Sequence, residues 1–205
     1  MHDNTPPHRG ADFTNPNVLA KAVFQVLTRA LSRPGSIVAL PVELRVPSPL
    51  TSELASVALA MADQEAPLWL DAPLVNSPQA MQYLRYHTGA RVVGAPSQAA
   101  YALIRDAVSM PQLHTFGQGI PGQPEQSTTL VIAVDYLAPT QPGTRGAMVL
   151  SGPNMAGQTA LIAGPLPLDF QAQIAENRRR YPLGVDCFLV SQGCVAAIPR
   201  STTIL

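Results

Sequence analysis

Charge is scarce in this chain of 205 residues, because only 13% of them are Asp, Glu, Lys or Arg. Globular domains usually carry about 25% charged residues. The 13 basic and 13 acidic residues cancel, which argues against nucleic acid or an anionic membrane surface as a partner. Hydrophobic residues make up 46% of the chain, and this excludes bulk disorder. So little charge suggests that partners cover part of the surface.

Cysteine is equally rare, since the chain contains only Cys187 and Cys194. Two cysteines do not make a disulfide framework. They flank a predicted hairpin turn at Gln192-Gly193, which would pair Cys194 with Ser191 and set Cys187 opposite Ile198. The cysteines would then not be cross-strand neighbours. We expect two reduced, buried thiols and a cytoplasmic protein.

No apolar run approaches the roughly 18 residues that a membrane span needs. Residues 1–13 are polar and are expected to form a disordered leader, neither signal peptide nor anchor. Residues 14–205 are expected to form a single domain, because the length is close to that of one average domain plus a lobe.

Lysine occurs once, at Lys21. Pyridoxal phosphate is held as a Schiff base on a lysine amine, and Lys21 lies on a predicted helix whose polar face meets solvent. A phosphate-binding P-loop needs a lysine after a glycine-rich turn, and no glycine is near Lys21. The composition therefore argues against both cofactor classes.

Glycine-rich and serine-centred motifs offer little more. Gly117 to Gly122 has the spacing of a dinucleotide fingerprint, but Pro121 and Pro124 prevent the helix that must follow it, so a plain turn is expected. Ser151-Gly152-Pro153 follows a predicted strand and is expected to be a turn, because no histidine is close in sequence.

Histidine does not indicate a metal site. None of the four histidines has a second ligand at helical spacing, so no metal is expected. They are His2, His8, His87 and His114.

Proline is abundant, with 21 residues, and much of it marks element boundaries. Four helices are predicted from polar caps, the first three of which are followed by proline at the first helical position, and the first helix also has apolar spacing of 3.6 residues. They begin at Asn15-Pro16 and end near Leu31, begin at Ser48-Pro49 and end at Met61, begin at Ser77-Pro78 and end near Tyr86, and begin after Asp169 and end near Arg180.

Short apolar and β-branched runs predict the strands. They cover residues 37–40, 68–70, 91–93, 129–135, 147–150 and 159–163, with a hairpin over 185–190 and 195–198. Residues 99–104 fit either element type, and residues 111–126 are expected to be a loop. Helices alternate with strands early and antiparallel strands come late, which predicts an α/β fold with a mixed sheet.

Four polar residues are candidates for binding an anion: Arg85, His87, Asp186 and Arg200. Arg85 and His87 are near a predicted helix C-terminus, where cations also offset the helix dipole. Asp186 and Arg200 lie in or beside apolar strands, where a charge should be paired or functional. A structural ion pair is the alternative for these two. A solvated helix end is expected for the three arginines at 178–180.

Several segments together resemble the PhnH family, a subunit of the bacterial carbon–phosphorus lyase machinery for phosphonate use. They follow one another in order over nearly all of residues 18–203. The segments are Phe24 to Leu27, Ala30 to Gly35, Ala58 to Asp63, Ala66 to Leu70, Leu84 to Thr88, Pro124-Glu125 with Ser127 to Leu130, Leu150 to Pro153, Tyr181 to Asp186 and Ala197 to Thr202. The chain departs from the family pattern at Gln25 and at Asn154-Met155.

The resemblance implies a three-layer α/β/α sandwich around a mixed sheet, similar to pyridoxal-phosphate-dependent transferases but without the cofactor. It also implies a homodimer that joins PhnG, PhnI and PhnJ subunits. That assembly takes part in displacing adenine from ATP by a phosphonate, which yields a ribose 1-phosphonate 5-triphosphate. No motif in this chain supplies the family's catalytic residue. Because Gln25 and Asn154-Met155 depart from the family pattern, a binding role is not expected to carry over to these positions.

Two functions therefore compete. The first is an accessory subunit that completes a site made mainly by its partners and is inactive alone. The second is a protein that binds a phosphonate or nucleotide anion, with cryptic transferase activity at Arg85, His87, Asp186 and Arg200. The second requires these side chains to converge on one cleft. Whether the chain is itself an enzyme is left open at this point.

Overall fold

The structure is a computed structural model that describes residues 16–42, 44–153, 155 and 157–205. The predicted leader at residues 1–13 and the cap at Asn15 lie outside the described residues. The described residues form five α-helices: α1 (Pro16–Ser32), α2 (Ser52–Met61), α3 (Ala72–Val75), α4 (Pro78–Thr88) and α5 (Phe170–Arg179). Single 3-10 turns cover Pro96–Gln98 and Leu113–Thr115.

Twelve strands are described, and they fall into three sheets. In chain order they are β1 (Val38–Ala39), β2 (Leu68–Leu70), β3 (Tyr101–Ile104), β4 (Gln118–Ile120), β5 (Gln123–Ser127), β6 (Thr129–Ala133), β7 (Tyr136–Pro139), β8 (Met148–Ser151), β9 (Thr159–Gly164), β10 (Asp186–Ser191), β11 (Cys194–Ile198) and β12 (Thr203–Ile204).

The central sheet is mixed, with six strands in the order β1-β11-β10-β6-β3-β2. Strands β2, β3, β6 and β10 run parallel, whereas β11 pairs antiparallel with both β10 and β1. A second, antiparallel sheet has the order β12-β8-β9-β7, and β4 and β5 form a separate hairpin. The predicted α/β class with a mixed sheet is confirmed.

Alternate residues of the central strands build two cores, one on each face of the sheet. On β6, Val131 faces the core formed with α1, α2 and α4, whereas Leu130 and Ile132 face the core that contains α5. All three side chains are fully buried, as the near-continuous apolar run of a doubly covered strand requires. The second face carries α5 and strands of the antiparallel sheet together, rather than a layer of helices only.

The helix starts follow local capping, and one of them differs from the prediction. Ser77 caps α4 as predicted, with Oγ accepting a hydrogen bond from the N–H of Ala80 at 3.3 Å. The start at Ser48-Pro49 is wrong, because these residues form a turn and α2 begins at Ser52. The cap there is Thr51, whose Oγ1 accepts from the N–H of Leu54 at 3.2 Å.

The late hairpin has the predicted register. Cys194 pairs with Ser191 and Cys187 lies opposite Ile198, so the cysteines are not neighbours. Both thiols are free, although only Cys187 is fully buried.

The predicted loop over residues 111–126 is wrong in part, because it contains the β4–β5 hairpin. Residues 101–104 of the segment with an unsettled type form strand β3, and the predicted strand at 91–93 is reduced to a single bridge between Val92 and Leu68.

Candidate functional site

Asp186 and Arg200 form an ion pair at the edge of the sheet where the parallel strands begin. Asp186 is the first residue of β10, and Arg200 lies two residues after β11, so the antiparallel hairpin brings them side by side. Arg200 Nη2 lies 2.5 Å from Oδ2 of Asp186, and Nε lies 3.2 Å from both carboxylate oxygens. The side chains are only 14% and 19% exposed. The geometry favours the alternative of a structural ion pair.

The same arginine holds the β4–β5 hairpin to the sheet. Its Nη1 donates to the carbonyl oxygen of Pro124 at 2.6 Å, and its backbone N–H donates to Oδ1 of Asp186 at 2.8 Å. The guanidinium is thus engaged on both sides by groups of this chain. A guanidinium group with its N–H donors engaged in this way has few donors left to bind a phosphonate.

Arg85 and His87 lie in the last turn of α4, as predicted. The helix ends at Gly89, which adopts a left-handed φ of 68° and donates its N–H to the carbonyl oxygen of Arg85. The His87 ring stacks beside Tyr83, with the ring centroids 4.3 Å apart. Arg85 instead lines a groove of about 650 Å³, whose other wall includes Arg91. The sequence analysis did not single out Arg91.

The order of the strands separates these two pairs of residues. Asp186 aligns with Thr129 on β6, Thr129 with Tyr101 on β3, Tyr101 with Leu68 on β2, and Leu68 with Val92. At about 4.8 Å per strand, roughly 19 Å of sheet lies between Asp186 and the Val92 segment that borders the groove. No described hydrogen bond or salt bridge joins the two pairs. An anion-binding role for Arg85 and His87 stays a prediction.

A third location, at the carboxyl ends of the parallel strands, was missed by the sequence analysis. An aspartate follows each of three strands shortly after it ends: Asp71 after β2, Asp106 after β3 and Asp135 after β6. Cavities of about 410 and 500 Å³ lie at this edge, where open α/β sheets often bind ligands. The aspartates were visible in the sequence, but the signal depended on knowing that these strands are parallel neighbours.

Asp71 has a structural role at this edge. Its carboxylate is buried and accepts hydrogen bonds from the backbone N–H groups of Arg105 at 2.6 Å, Asp106 at 2.8 Å and Leu74 at 3.4 Å. Burial raises the pKa of Asp71, and the three backbone hydrogen bonds oppose that rise. The side chain therefore connects the start of α3 to the end of β3.

A polar cleft of about 210 Å³ lies along α5. Asp169 occupies the predicted capping position, but its carboxylate makes no hydrogen bond to a helix N–H. It accepts instead from Gln112 and Gln173, both at 2.9 Å, and the bond from Gln112 is the main reason that its pKa is lowered. The helix ends with Arg179 and Arg180 paired to Glu176 at the surface.

The remaining sequence candidates have plain structural roles. Lys21 is exposed on α1, as predicted. Gly117 to Gly122 belongs to the β4–β5 hairpin, and Ser151 to Pro153 leaves the end of β8. Burial raises the pKa of the Cys187 thiol well above its usual range, with a further contribution from Asp186.

Metal ligands and membrane helices can be assessed only within the described part of the chain. There, no three His, Cys, Asp or Glu side chains are grouped so that they could hold a metal ion. No helix in residues 16–42, 44–153 or 157–205 has the length and apolar character to cross a membrane.

Comparison with known families decides what kind of protein this is. The family model described as bacterial phosphonate metabolism protein (PhnH) matches residues 11–205. The chain belongs to the PhnH family. A PhnH relative from Rhizobium meliloti (strain 1021), the alpha-D-ribose 1-methylphosphonate 5-triphosphate synthase subunit PhnH, is 30% identical over 192 residues. The alignment covers 94% of this chain and 93% of the relative.

Several of the PhnH-like segments lie at the candidate residues described above. The segments Tyr181 to Asp186 and Ala197 to Thr202 contribute the two members of the partly buried ion pair, and Leu84 to Thr88 ends α4. Of the departures from the PhnH pattern, Gln25 is exposed on α1, and Asn154 lies outside the described residues. The PhnH resemblance seen in the sequence is confirmed, and it extends over nearly the whole chain.

Proposed function

We propose that this chain is an accessory subunit of a ribose 1-methylphosphonate 5-triphosphate synthase within a carbon–phosphorus lyase complex. In that role it would support the displacement of adenine from ATP by a phosphonate without supplying the reacting groups itself. The carrying observation is the match to the Rhizobium meliloti subunit over 94% of this chain and 93% of the relative. The likeness therefore extends along both chains and is not confined to one shared segment.

The contacts of the candidate residues support an accessory role. Arg200 and Asp186 bind each other and the β4–β5 hairpin, and Asp71 binds three backbone N–H groups. The fully buried thiol, Cys187, has a raised pKa and is therefore a poor nucleophile. These groups stabilise the fold and are not poised for acid–base or nucleophilic chemistry.

The assembly and the finer fold follow from family membership as part of the same proposal. We infer a cytoplasmic homodimer that binds PhnG, PhnI and PhnJ subunits. We also infer a single domain related to the three-layer sandwich of pyridoxal-phosphate-dependent transferases. The single lysine, Lys21, is exposed on α1, which supports the inference that this chain shares the fold of those transferases without binding pyridoxal phosphate.

The alternative, in which all four candidate residues bind one anion, has less support. It needs Arg85, His87, Asp186 and Arg200 in one cleft, whereas about four strand spacings separate Asp186 from Val92, which lines the same groove as Arg85. Transferase activity would also require an acid–base or nucleophilic side chain beside the bound anion that is not already engaged in contacts within the described part of the chain.

The proposal is tested by assaying phosphonate-dependent release of adenine from ATP. The purified chain alone should release none, whereas a mixture of all the core subunits should. Omitting this chain from the mixture should lower the rate and restoring it should recover the rate. Turnover by the isolated chain would overturn the accessory role, and an unchanged rate on omission would overturn the subunit role.

A further inference from the structure

The edge of the central sheet beyond β2 is open and carries free backbone groups. The N–H of Leu68 donates to the carbonyl oxygen of Arg91, and the N–H of Val93 donates to the carbonyl oxygen of Leu68, both at 2.9 Å. In a parallel bridge of this kind the intervening residue, Val92, directs its own N–H and C=O away from β2. Neither group finds a hydrogen-bond partner within the described part of the chain. An edge like this is a template for another strand.

A groove runs between this edge and the helices that pack beside it. It has a volume of about 650 Å³ and is lined by residues 89–94 and by residues of α3 and α4. Val75, at the end of α3, is 46% exposed there, and Met81 of α4 also lines the groove. The groove therefore offers apolar contacts as well as the backbone groups of Val92.

The charged residues that line the groove are two arginines. Arg85 from α4 and Arg91 from the edge segment both line it and are exposed. Neither arginine has a carboxylate within salt-bridge distance among the described residues. Guanidinium groups bind carboxylates through paired hydrogen bonds, so this groove complements an acidic segment.

An extended peptide suits the groove better than a small anion does. The C-terminus of α4 adjoins it through Gly89 and Ala90, and the negative end of the helix dipole disfavours a compact anion at that point. A peptide strand can instead pair its backbone with Val92, which supplies binding contacts besides those of its carboxylates with the two arginines. Addition of a strand to an exposed sheet edge is an established mode of peptide recognition.

We propose that the Arg85–Arg91 groove is where a partner protein docks, by adding an extended acidic segment to the sheet beside Val92. The backbone of that segment would bond to the N–H and C=O of Val92, and its Asp or Glu side chains would pair with Arg85 and Arg91. This inference rests on the proposed role as a subunit, since it assigns a surface for the contact with another subunit of the complex.

The test uses the full chain and the other core subunits of the same bacterium. The double variant R85E/R91E should bind them at least about tenfold more weakly for each charge pair lost, and the loss should shrink at high salt. The matched control is Arg145→Glu, an exposed arginine between β7 and β8. It should bind as the wild type does. Circular dichroism should be unchanged in all variants, because these arginines are exposed. The Tm of R85E/R91E should fall only slightly, because Arg85 lies in the last turn of α4, where a negative charge opposes the helix dipole.

Hydrogen exchange provides a second measurement that does not depend on substitution. The amide of Val92 should exchange fast in the isolated chain and slowly in the complex, because the added strand would accept its hydrogen bond. Unchanged exchange at Val92 in a complex that has formed would contradict strand addition.

The outcomes distinguish this inference from the proposed function. If the wild-type chain does not join the other subunits, the proposed function falls and this inference falls with it. If the wild type joins them and R85E/R91E joins equally well, only the groove assignment is wrong. It is also wrong if the substitutions abolish only self-association, or only the binding of methylphosphonate or ATP to the isolated chain.

Discussion

Replacing Arg200 with methionine would measure how much the partly buried ion pair stabilises the fold. The substitution keeps the apolar length of the side chain but leaves the carboxylate of Asp186, 19% exposed, without its cation. It also removes the hydrogen bond to Pro124. Breaking a buried pair by removing one partner costs about 3–5 kcal/mol. Because some solvent reaches both side chains, we expect a loss of about 3 kcal/mol, the low end of that range.

Urea unfolding followed by circular dichroism is the assay. With a slope of about 2–3 kcal/mol per M, the midpoint of Arg200→Met should fall by about 1 M or more without a change in slope. The double variant D186N/R200M should lose less than Arg200→Met alone, because it buries no unpaired charge. Its asparagine side chain also keeps an acceptor oxygen for the backbone N–H of residue 200.

The surface pair of Arg179 and Glu176 is the control. Its side chains are 73% and 47% exposed, so Arg179→Met should leave the urea midpoint almost unchanged. If Arg200→Met costs less than about 1 kcal/mol, its pair with Asp186 is not a structural one. Arg200 would then have to be considered again as a binding residue.

Three further predictions concern a helix cap, a buried carboxylate and a buried thiol. Thr51→Ala should lower the free energy of unfolding by about 1 kcal/mol and Ser48→Ala by less than about 0.5 kcal/mol; equal effects in urea unfolding would contradict the assigned cap. Burial raises the pKa of Asp71, so the folded state holds a proton that the unfolded state releases. Protonated Asp71 should therefore stabilise the wild type at low pH, and this stabilisation should be lost as pH rises from the ordinary aspartate pKa through the raised one. Urea titrations of Asp71→Asn at the same pH values should lack this pH-dependent change in stability. Because burial raises the pKa of Cys187, Ellman's reagent should modify Cys194 in the native protein and Cys187 only after unfolding; rapid modification of native Cys187 would refute its burial.

Elements with a strong local signal could be predicted from the sequence. The apolar spacing of α1 is helical, and its helix ends at Ser32, one residue beyond the predicted end. The β10–β11 hairpin has the predicted register because a two-residue turn at Gln192-Gly193 determines which residues face each other. Both signals are complete within a few neighbouring residues, so they do not depend on the rest of the fold.

Elements that depend on distant contacts could not be predicted. The β4–β5 hairpin has few apolar residues, and its Pro124 carbonyl is held by Arg200, 76 residues away. Strand β4 also needs glycine at position 119, where its register shifts and a Cβ atom would lie 2.7 Å from the Pro124 oxygen. The predicted start of α2 was wrong for a different reason. Ser48 and Thr51 are both good N-cap residues, and their local sequence alone does not decide which of them caps the helix.

The sequence alone determined the family, the α/β class and the scarcity of charge, because these follow from segment order, periodicity and composition. Only the tertiary structure decided which charged residues meet. The β10–β11 hairpin joins Asp186 to Arg200, and the strand order sets Asp186 about four strand spacings from Val92, which lines the same groove as Arg85. It also brings Arg91 to the wall of the groove that Arg85 lines. Such proximity depends on how strands far apart in the chain are ordered, and no local pattern of residues contains that information.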